Sequence, residues 1–254
     1  MYPASRRTRR GTLWQLGPHR LLCGDATSPA DVERLLDGSV PHLMATDPPY
    51  GVKYDPSWRQ GLVNRSDARS KIAGDDRVDW SDAYRLFPGD VAYVWHGGLQ
   101  ADIVARSLRE SGFQLRAQIV WAKSRFAISR GHYHWQHETC YYAVRKGRTG
   151  HWRGDRKQTT VWQILAMPGA LKRDPTETKS GHGAQKPIEV MARPIRNNSA
   201  PGELVYDPFL GSGTTLIAAE REGRICYGLE LEPHWCDVIV ARWEAETGRE
   251  AVRL

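Results

Sequence analysis

Apolar residues fall into short runs and amphipathic stretches that alternate along the chain. Residues 13–22 predict a strand or short hairpin, 29–36 a helix, and 42–46 a buried strand that stops at Asp47. Residues 91–95, 115–122 and 139–144 predict further strands, and 99–110 a helix with Ile103, Val104 and Leu108 on one face. Near the end, 187–196 predicts a helix, 204–206 a strand, 214–222 a helix, 224–229 a strand, and 233–247 a closing helix with Pro233 in its first turn. This alternation predicts an α/β domain with a doubly wound, mostly parallel sheet, spanning residues 12–248.

Three stretches lack any period. Residues 51–80 are polar and carry Gly, Pro, Asn and Ser, so they predict a long mobile loop of the kind that faces a ligand. Residues 145–183 form an irregular basic insert, and 1–11 a basic tail containing Arg6, Arg7, Arg9 and Arg10. A chain of 254 residues with 40% apolar positions can bury one large core, which makes disorder and fibrous architectures poor fits. No apolar run approaches the roughly 20 residues of a membrane span, so the expectation is a soluble, cytoplasmic protein. Cys23, Cys140, Cys226 and Cys236 lie far apart without a C-x-x-C pair, which fits neither a disulfide framework nor a structural zinc site.

Charge adds a direction to this picture. Lys and Arg number 36 against 29 Asp and Glu, a surplus of +7. Residues 121–160 hold nine cations, Lys123, Arg125, Arg130, Arg145, Lys146, Arg148, Arg153, Arg156 and Lys157, against only Glu138 and Asp155, so this one segment equals the whole surplus. Trp121, Phe126, Tyr133, Trp135, Tyr141, Tyr142 and Trp152 are interleaved with them, a combination suited to phosphates and unstacked bases. A solvated surface whose aromatics turn into the core would read the same way.

Two short motifs carry candidate chemistry. From Val205 through Asp207, Phe209, Gly211, Gly213 and Thr214 the pattern is strand, glycine turn, helix start, a geometry that lets backbone approach a ligand closely. Glu230, 23 residues after Asp207, ends the next predicted strand, where an acid can accept hydrogen bonds from ribose hydroxyls. No Lys-Ser or Lys-Thr follows the glycines and the third glycine of the dinucleotide fingerprint is absent, so neither a P-loop nor a plain dinucleotide site is supported. Earlier, Asp47-Pro48-Pro49-Tyr50 ends an apolar strand with a carboxylate, a carbonyl and a ring held by two prolines. Asp47 and the Pro48 carbonyl could accept the two hydrogens of an exocyclic base amine and stabilise the positive charge that grows there during attack, while Tyr50 stacks on the base.

Together the two motifs resemble those of S-adenosylmethionine-dependent DNA amino-methyltransferases, which act on adenine N6 or cytosine N4. With the tetrapeptide before the glycine turn, the order is similar to that family's permuted β group. The resemblance implies a Rossmann-like methyltransferase fold with a small target-recognition insert at 145–183, and S-adenosylmethionine as the cofactor. It implies that Asp207, Phe209, Gly211, Gly213 and Thr214 surround the methionine part, that Glu230 binds the ribose, that Asp25 faces the adenine ring, and that Lys186 of Gln185-Lys186-Pro187 serves the methionine carboxylate. It further implies double-stranded DNA as partner, base flipping, and a bacterial or phage source. A homodimer and an accompanying restriction endonuclease are compatible with it. DPPY in this family leans towards adenine N6, with cytosine N4 or an inactive DNA-binding relative as alternatives.

Other chemistries fit less well. Cytosine C5 transfer needs a thiolate, supplied in the related family by a Pro-Cys pair, and no cysteine here follows proline. A hydride-transfer enzyme would leave Asp47-Pro48-Pro49-Tyr50 unexplained, and RNA or protein-amide methylases often carry Asn in the first position. His132, His134, His137 and Glu138 invite a metal reading, but the spacing suits no helix-face ligand set, so the segment 131–138 is expected as a loop beside the base pocket with His137 near the target nucleotide.

Overall fold

The computed structural model describes residues 8–52, 75–127, 132–165 and 185–254. Among these described residues, ten strands form a single sheet. In chain order they are β1 (Leu13–Leu16), β2 (His19–Cys23), β3 (Leu43–Thr46), β4 (Val91–His96), β5 (Phe113–Ala127), β6 (Trp135–Arg145), β7 (Val161–Ile164), β8 (Leu204–Asp207), β9 (Ile225–Glu230) and β10 (Val252–Arg253). Spatially the order is β10-β1-β2-β9-β8-β3-β4-β6-β5-β7. The central strands β2, β9, β8, β3 and β4 are mutually parallel, and β6 is antiparallel to both its neighbours.

Among the described residues, six α-helices cover the two faces: α1 (Pro29–Leu36), α2 (Ser81–Leu86), α3 (Ala101–Glu110), α4 (Ile188–Asn198), α5 (Thr214–Arg221) and α6 (Pro233–Thr247). The alternation inside each strand divides the core in two. Leu43, Ala45, Tyr93, Trp95 and Val205 face one layer with α4, α5 and α6, and Met44, Ala92, Val94 and Tyr206 face the other with α1, α2 and α3. Helix limits follow local chemistry. Ser28 caps α1 through the Asp31 N–H and Pro29 takes its first position, while α6 begins at Pro233 and stops at Gly248, whose φ is 69°.

The doubly wound sheet was expected, and several boundaries moved. Residues 13–22 resolve into the β1–β2 hairpin, and the buried face of α3 is Val104, Ala105, Ser107 and Leu108, with Ile103 only half-buried. β5 and β6 extend well beyond the predicted 115–122 and 139–144, so residues 135–138 are strand rather than loop. Within the insert expected to be irregular, Val161–Ile164 forms β7 against Val120–Lys123, its Trp162 and Ile164 turned inward. α2 and β10 were not anticipated. Residues 53–74, most of the expected loop, and 166–184, which include nearly half of the expected insert, lie outside the described residues.

The switch point lies between β8 and β3, where Leu43 pairs with Val205 and Met44 with Tyr206. From there the chain winds outward in both directions, and the crevice beyond the carboxyl ends of these strands is where a ligand is expected. Gly228 of β9 helps hold the turn after β8, since a Cβ there would stand 2.5 Å from the Leu210 side chain and 2.7 Å from the Asp207 carbonyl. Gly228→Ala is therefore expected to cost about 2 kcal/mol by overpacking, seen as a melting point lower by roughly 4–8 °C; an unchanged thermal melt would show that the turn yields freely.

Candidate active site

Of four neighbouring parallel strands, β9 and β8 end in Glu230 and Asp207, while Asp47 follows the end of β3 by one residue and Asp25 that of β2 by two, all at the same edge of the sheet. Neighbouring strands lie about 4.8 Å apart, so these residues are spread along the edge that borders the crevice. Asp207, buried, accepts the Thr46 hydroxyl at 2.6 Å and the Phe209 N–H at 3.0 Å. That bond to Thr46 ties the end of β8 directly to the residue preceding Asp47. Burial pushes the Asp207 carboxyl up to about 6, although its hydrogen bonds with Thr215 and Thr46 pull the other way.

The glycine turn is held from below by the second acid. Glu230 accepts the Gly211 N–H at 2.8 Å and the Glu232 N–H at 2.9 Å, and burial pushes its carboxyl up to about 7 against those bonds. Gly213 sits at φ 82°, a conformation that suits glycine, and passes the chain into α5. Thr214 donates to the Lys186 carbonyl at 3.4 Å, and Arg242 donates to the Ser212 carbonyl at 2.8 Å, so both flanks of the turn are pinned. Asp25 is a turn former: its Oδ1 accepts both the N–H and the hydroxyl of Thr27 at 2.8 Å.

Around Asp47 the structure builds a compact charge cluster. Lys186 Nζ reaches Asp47 Oδ2 at 2.6 Å, Glu138 Oε2 at 2.8 Å and the Tyr50 hydroxyl at 3.1 Å. The Tyr50 hydroxyl donates to Asp47 Oδ1 at 2.7 Å and lies 3.2 Å from Glu138 Oε2, and Lys123 pairs with Glu138 Oε1. Burial raises the Asp47 carboxyl above the usual range, with the Lys186 ammonium opposing and Glu138 reinforcing the rise. Burial also works against ionisation of Glu138, but the Lys186 and Lys123 ammonium groups outweigh it and hold that carboxyl at about 2. Lys186 is buried too, yet Asp47 and Glu138 keep it protonated more firmly than an ordinary lysine. Behind the prolines, Trp80 donates to the Pro49 carbonyl at 3.1 Å and meets the Phe209 ring edge-on at 4.8 Å between centroids. The tetrapeptide and the glycine turn thus share a buried aromatic support.

Most of the residues singled out from the sequence do converge here, and some are placed differently. Lys186, expected at a methionine carboxylate, has its ammonium between Asp47 and Glu138, so the two acids occupy all three of its donor directions together with Tyr50. Lys123, expected on DNA, is bound to Glu138 and stands 5.0 Å over the Trp121 ring. The basic segment does not form one surface. Because β6 runs antiparallel to β4, Thr139 lies beside His96 at the Asp47 end while Val144 lies beside Val91 at the far end. Arg145 there is structural: its guanidinium donates to the carbonyls of Gly89, Ser111 and Phe87 at 2.8, 3.1 and 2.6 Å, over the Phe113 ring. Lys146 follows it, Arg148 pairs with Asp90 and Arg153 with Glu203, all on the edge opposite Asp47, and Arg156 and Lys157 are exposed on the return towards β7.

Arg125 and His137 remain exposed at the Asp47 end, on the extended β5–β6 pair where Ala122 lies beside His137. Phe126, Tyr133 and Trp135 are exposed there as well, with Phe126 stacked on His134 at 5.0 Å and Trp135 edge-on to His137 at 5.5 Å. Arg130 lies outside the described residues. Trp80 was not singled out from the sequence, and Glu138 was considered there only within a metal set, not as the partner of Lys186. The one available signal for Glu138 was a lone acid in the middle of a cation-rich, aromatic stretch.

This arrangement joins a backbone cradle flanked by acids to a polarised carboxylate one strand away, and it holds no phosphate-binding lysine after the turn. Comparison with known proteins agrees with it. The family model for DNA methylases of the N6/N4 type matches residues 42–241. The type II methyltransferase M.ScaI of Streptomyces caespitosus is 40% identical over 88 residues, 35% of this chain and 29% of that protein, so the match spans less than a third of its length. Among solved structures, the M1.HpyAVI–SAM complex superposes with a TM-score of 0.60 at 21% identity, over 86% of this chain and 96% of that one. The cytosine-N4-specific PvuII DNA methyltransferase also gives 0.60, at 18% identity, over 87% and 85%. With four-fifths of its length matched by the family model, and with both of its motifs at one sheet edge, the chain belongs to the N6/N4 DNA methylase family.

Proposed function

We propose that this protein transfers a methyl group from S-adenosylmethionine to the exocyclic N6 of adenine in double-stranded DNA, after the base has left the helix. The observation that carries the reading is the position of Asp47, one strand from the glycine turn and linked to it through the 2.6 Å Thr46–Asp207 bond. When bound, S-adenosylmethionine supplies an electrophilic methyl on a sulfonium cation. The residues present suit such a molecule: Asp207 and Glu230 offer negative charge, and the backbone around Gly211 and Gly213 admits a close approach.

The chain's own groups then divide the work. Asp47 and the Pro48 carbonyl accept the hydrogens of the target amine, and the ring of Tyr50, tethered through its hydroxyl to Asp47, supports the base plane. Methyl transfer would leave positive charge on the target nitrogen, where the Asp47 carboxylate would stabilise it, and the proton that this nitrogen then sheds would pass to solvent. Glu230 receives ribose hydroxyls. Extrusion of the base costs a few kcal/mol of stacking, offset by contacts from Arg125, His137 and Trp135 at the exposed end of β5 and β6. Lys186 serves Asp47 rather than a methionine carboxylate in this reading. A cytosine N4 amine would meet the same acceptors, and the likeness to the PvuII enzyme makes N4-methylcytosine the second reading.

Mass spectrometry of nucleosides after incubation of DNA with the protein and S-adenosylmethionine should show N6-methyladenine. N4-methylcytosine would replace the base assignment, and no product at all would reject the function. Asp47→Ala should lower the rate by roughly a thousandfold or more while cofactor affinity stays within a few-fold; a variant that still methylates normally removes Asp47 from the chemistry. Cofactor affinity should also depend on pH. Asp207 and Glu230 lose their charge as pH falls below about 6 and about 7, so binding of a sulfonium cation should weaken by up to roughly tenfold per unit between about 7 and about 6, more steeply below about 6, and level off above about 8. Calorimetric titration from pH 5.5 to 8 tests this, and Glu230→Gln should flatten the part of the curve near 7.

A further inference from the structure

The proposed reaction needs a strong hydrogen-bond acceptor at Asp47, yet Asp47 Oδ2 already carries a buried ammonium at 2.6 Å and Oδ1 a phenol at 2.7 Å. A carboxylate bound to a single lysine is electrically cancelled, and such a pair would do little for a nitrogen that is becoming positive. The structure supplies a second acid on the far side of that lysine. Glu138 projects from β6, takes Lys186 Nζ at 2.8 Å, and is itself held by Lys123 from β5. Two acids and two lysines alternate, Asp47, Lys186, Glu138, Lys123, with no net charge, and Tyr50 bridges the two acids.

We infer that Glu138 is a positioning residue for methyl transfer: by sharing the Lys186 ammonium it keeps Asp47 a competent acceptor towards the target amine. Lys123 acts in the opposite sense by holding part of the Glu138 charge. Without Glu138 the Lys186 cation falls to Asp47 alone, the cluster gains a positive charge, and the cationic transition state is opposed. Without Lys123 the cluster gains a negative one. The inference rests on the methyl-transfer reading above and concerns how that site is tuned.

The pH dependence separates this from a merely structural ion pair. Among the described residues, the groups facing Asp47 are Lys186, Glu138 and Tyr50, with Asp207, Cys140 and Tyr84 also within electrostatic reach. Tyr50, Cys140 and Tyr84 keep their protons well above neutrality, and saturating S-adenosylmethionine holds Asp207 and Glu230 in their bound state. Glu138 raises the Asp47 carboxyl and Lys186 lowers it, so losing Glu138 makes Asp47 easier to ionise even as it becomes a weaker acceptor.

In single-turnover methyl transfer with the full chain, Glu138→Gln should lower the plateau rate by roughly 10- to 100-fold and move the acid limb of the pH–rate profile to lower pH. Affinities for S-adenosylmethionine and DNA should stay within about twofold. Lys123→Gln should move the same limb to higher pH, and it carries the test if Glu138→Gln does not fold. Wild-type rate and an unmoved limb in Glu138→Gln would overturn the inference while leaving the methyltransferase assignment standing. So would a slower Glu138→Gln accompanied by a wild-type pH profile in Lys123→Gln. A wild-type protein that makes no methylated base removes both.

Discussion

The pairing of β3 with β8 is the contact on which everything else depends. It is short, two registered residue pairs, and is closed by a single side-chain bond from Thr46 to Asp207. Each strand alone presents an acid at the end of an apolar run. Side by side they define a crevice with a glycine cradle in one half and a polarised carboxylate in the other. Helices on both faces then lock the pair, since Leu43 and Val205 share one core layer and Met44 and Tyr206 the other. A sheet buried on both sides cannot slip by one residue without exposing a whole hydrophobic set.

Beyond that seam, the site is an exercise in compensating buried charge. Taking an ion out of water costs several kcal/mol unless partners are close and well aimed. Lys186 meets this by spending its three hydrogens on Asp47, Glu138 and Tyr50. Glu230 and Asp207 are stabilised instead by backbone N–H groups and hydroxyls, with no paired cation among the described residues, and their carboxyls stay correspondingly reluctant to ionise. One edge therefore holds two kinds of acid, one neutralised by lysines and one kept poised for a positively charged guest.

The legible parts of the molecule were those whose signals are local. Apolar runs marked the central strands, Pro29 and Pro233 marked helix starts, and the two motifs located the crevice because prolines and glycines act on their own backbone. Non-local features escaped. Glu138 and Lys186 are 48 positions apart, and nothing in either neighbourhood announces the other. β7 hid within a cationic stretch because only Trp162 and Ile164 turn inward, too short an alternation to stand out. The net charge of residues 121–160 was correct as a sum and misleading as a map. A strand that runs away from the site carries four of those nine cations to the far edge, where Arg145 props backbone carbonyls and Arg148 and Arg153 meet acids.

The distance along the chain between β3 and β8 has a consequence for biosynthesis. At about 5–20 residues per second, some 160 residues of translation take roughly 8–32 s, and throughout that interval one long side of β3 has no partner to cover its amide and carbonyl groups. The layer that Leu43 and Ala45 help to form with the later helices is equally incomplete. A nascent chain in that condition offers an open template to any neighbouring strand. Ribosome-associated chaperones, or a growth temperature low enough to slow association, would then govern how much of the polypeptide reaches its native form.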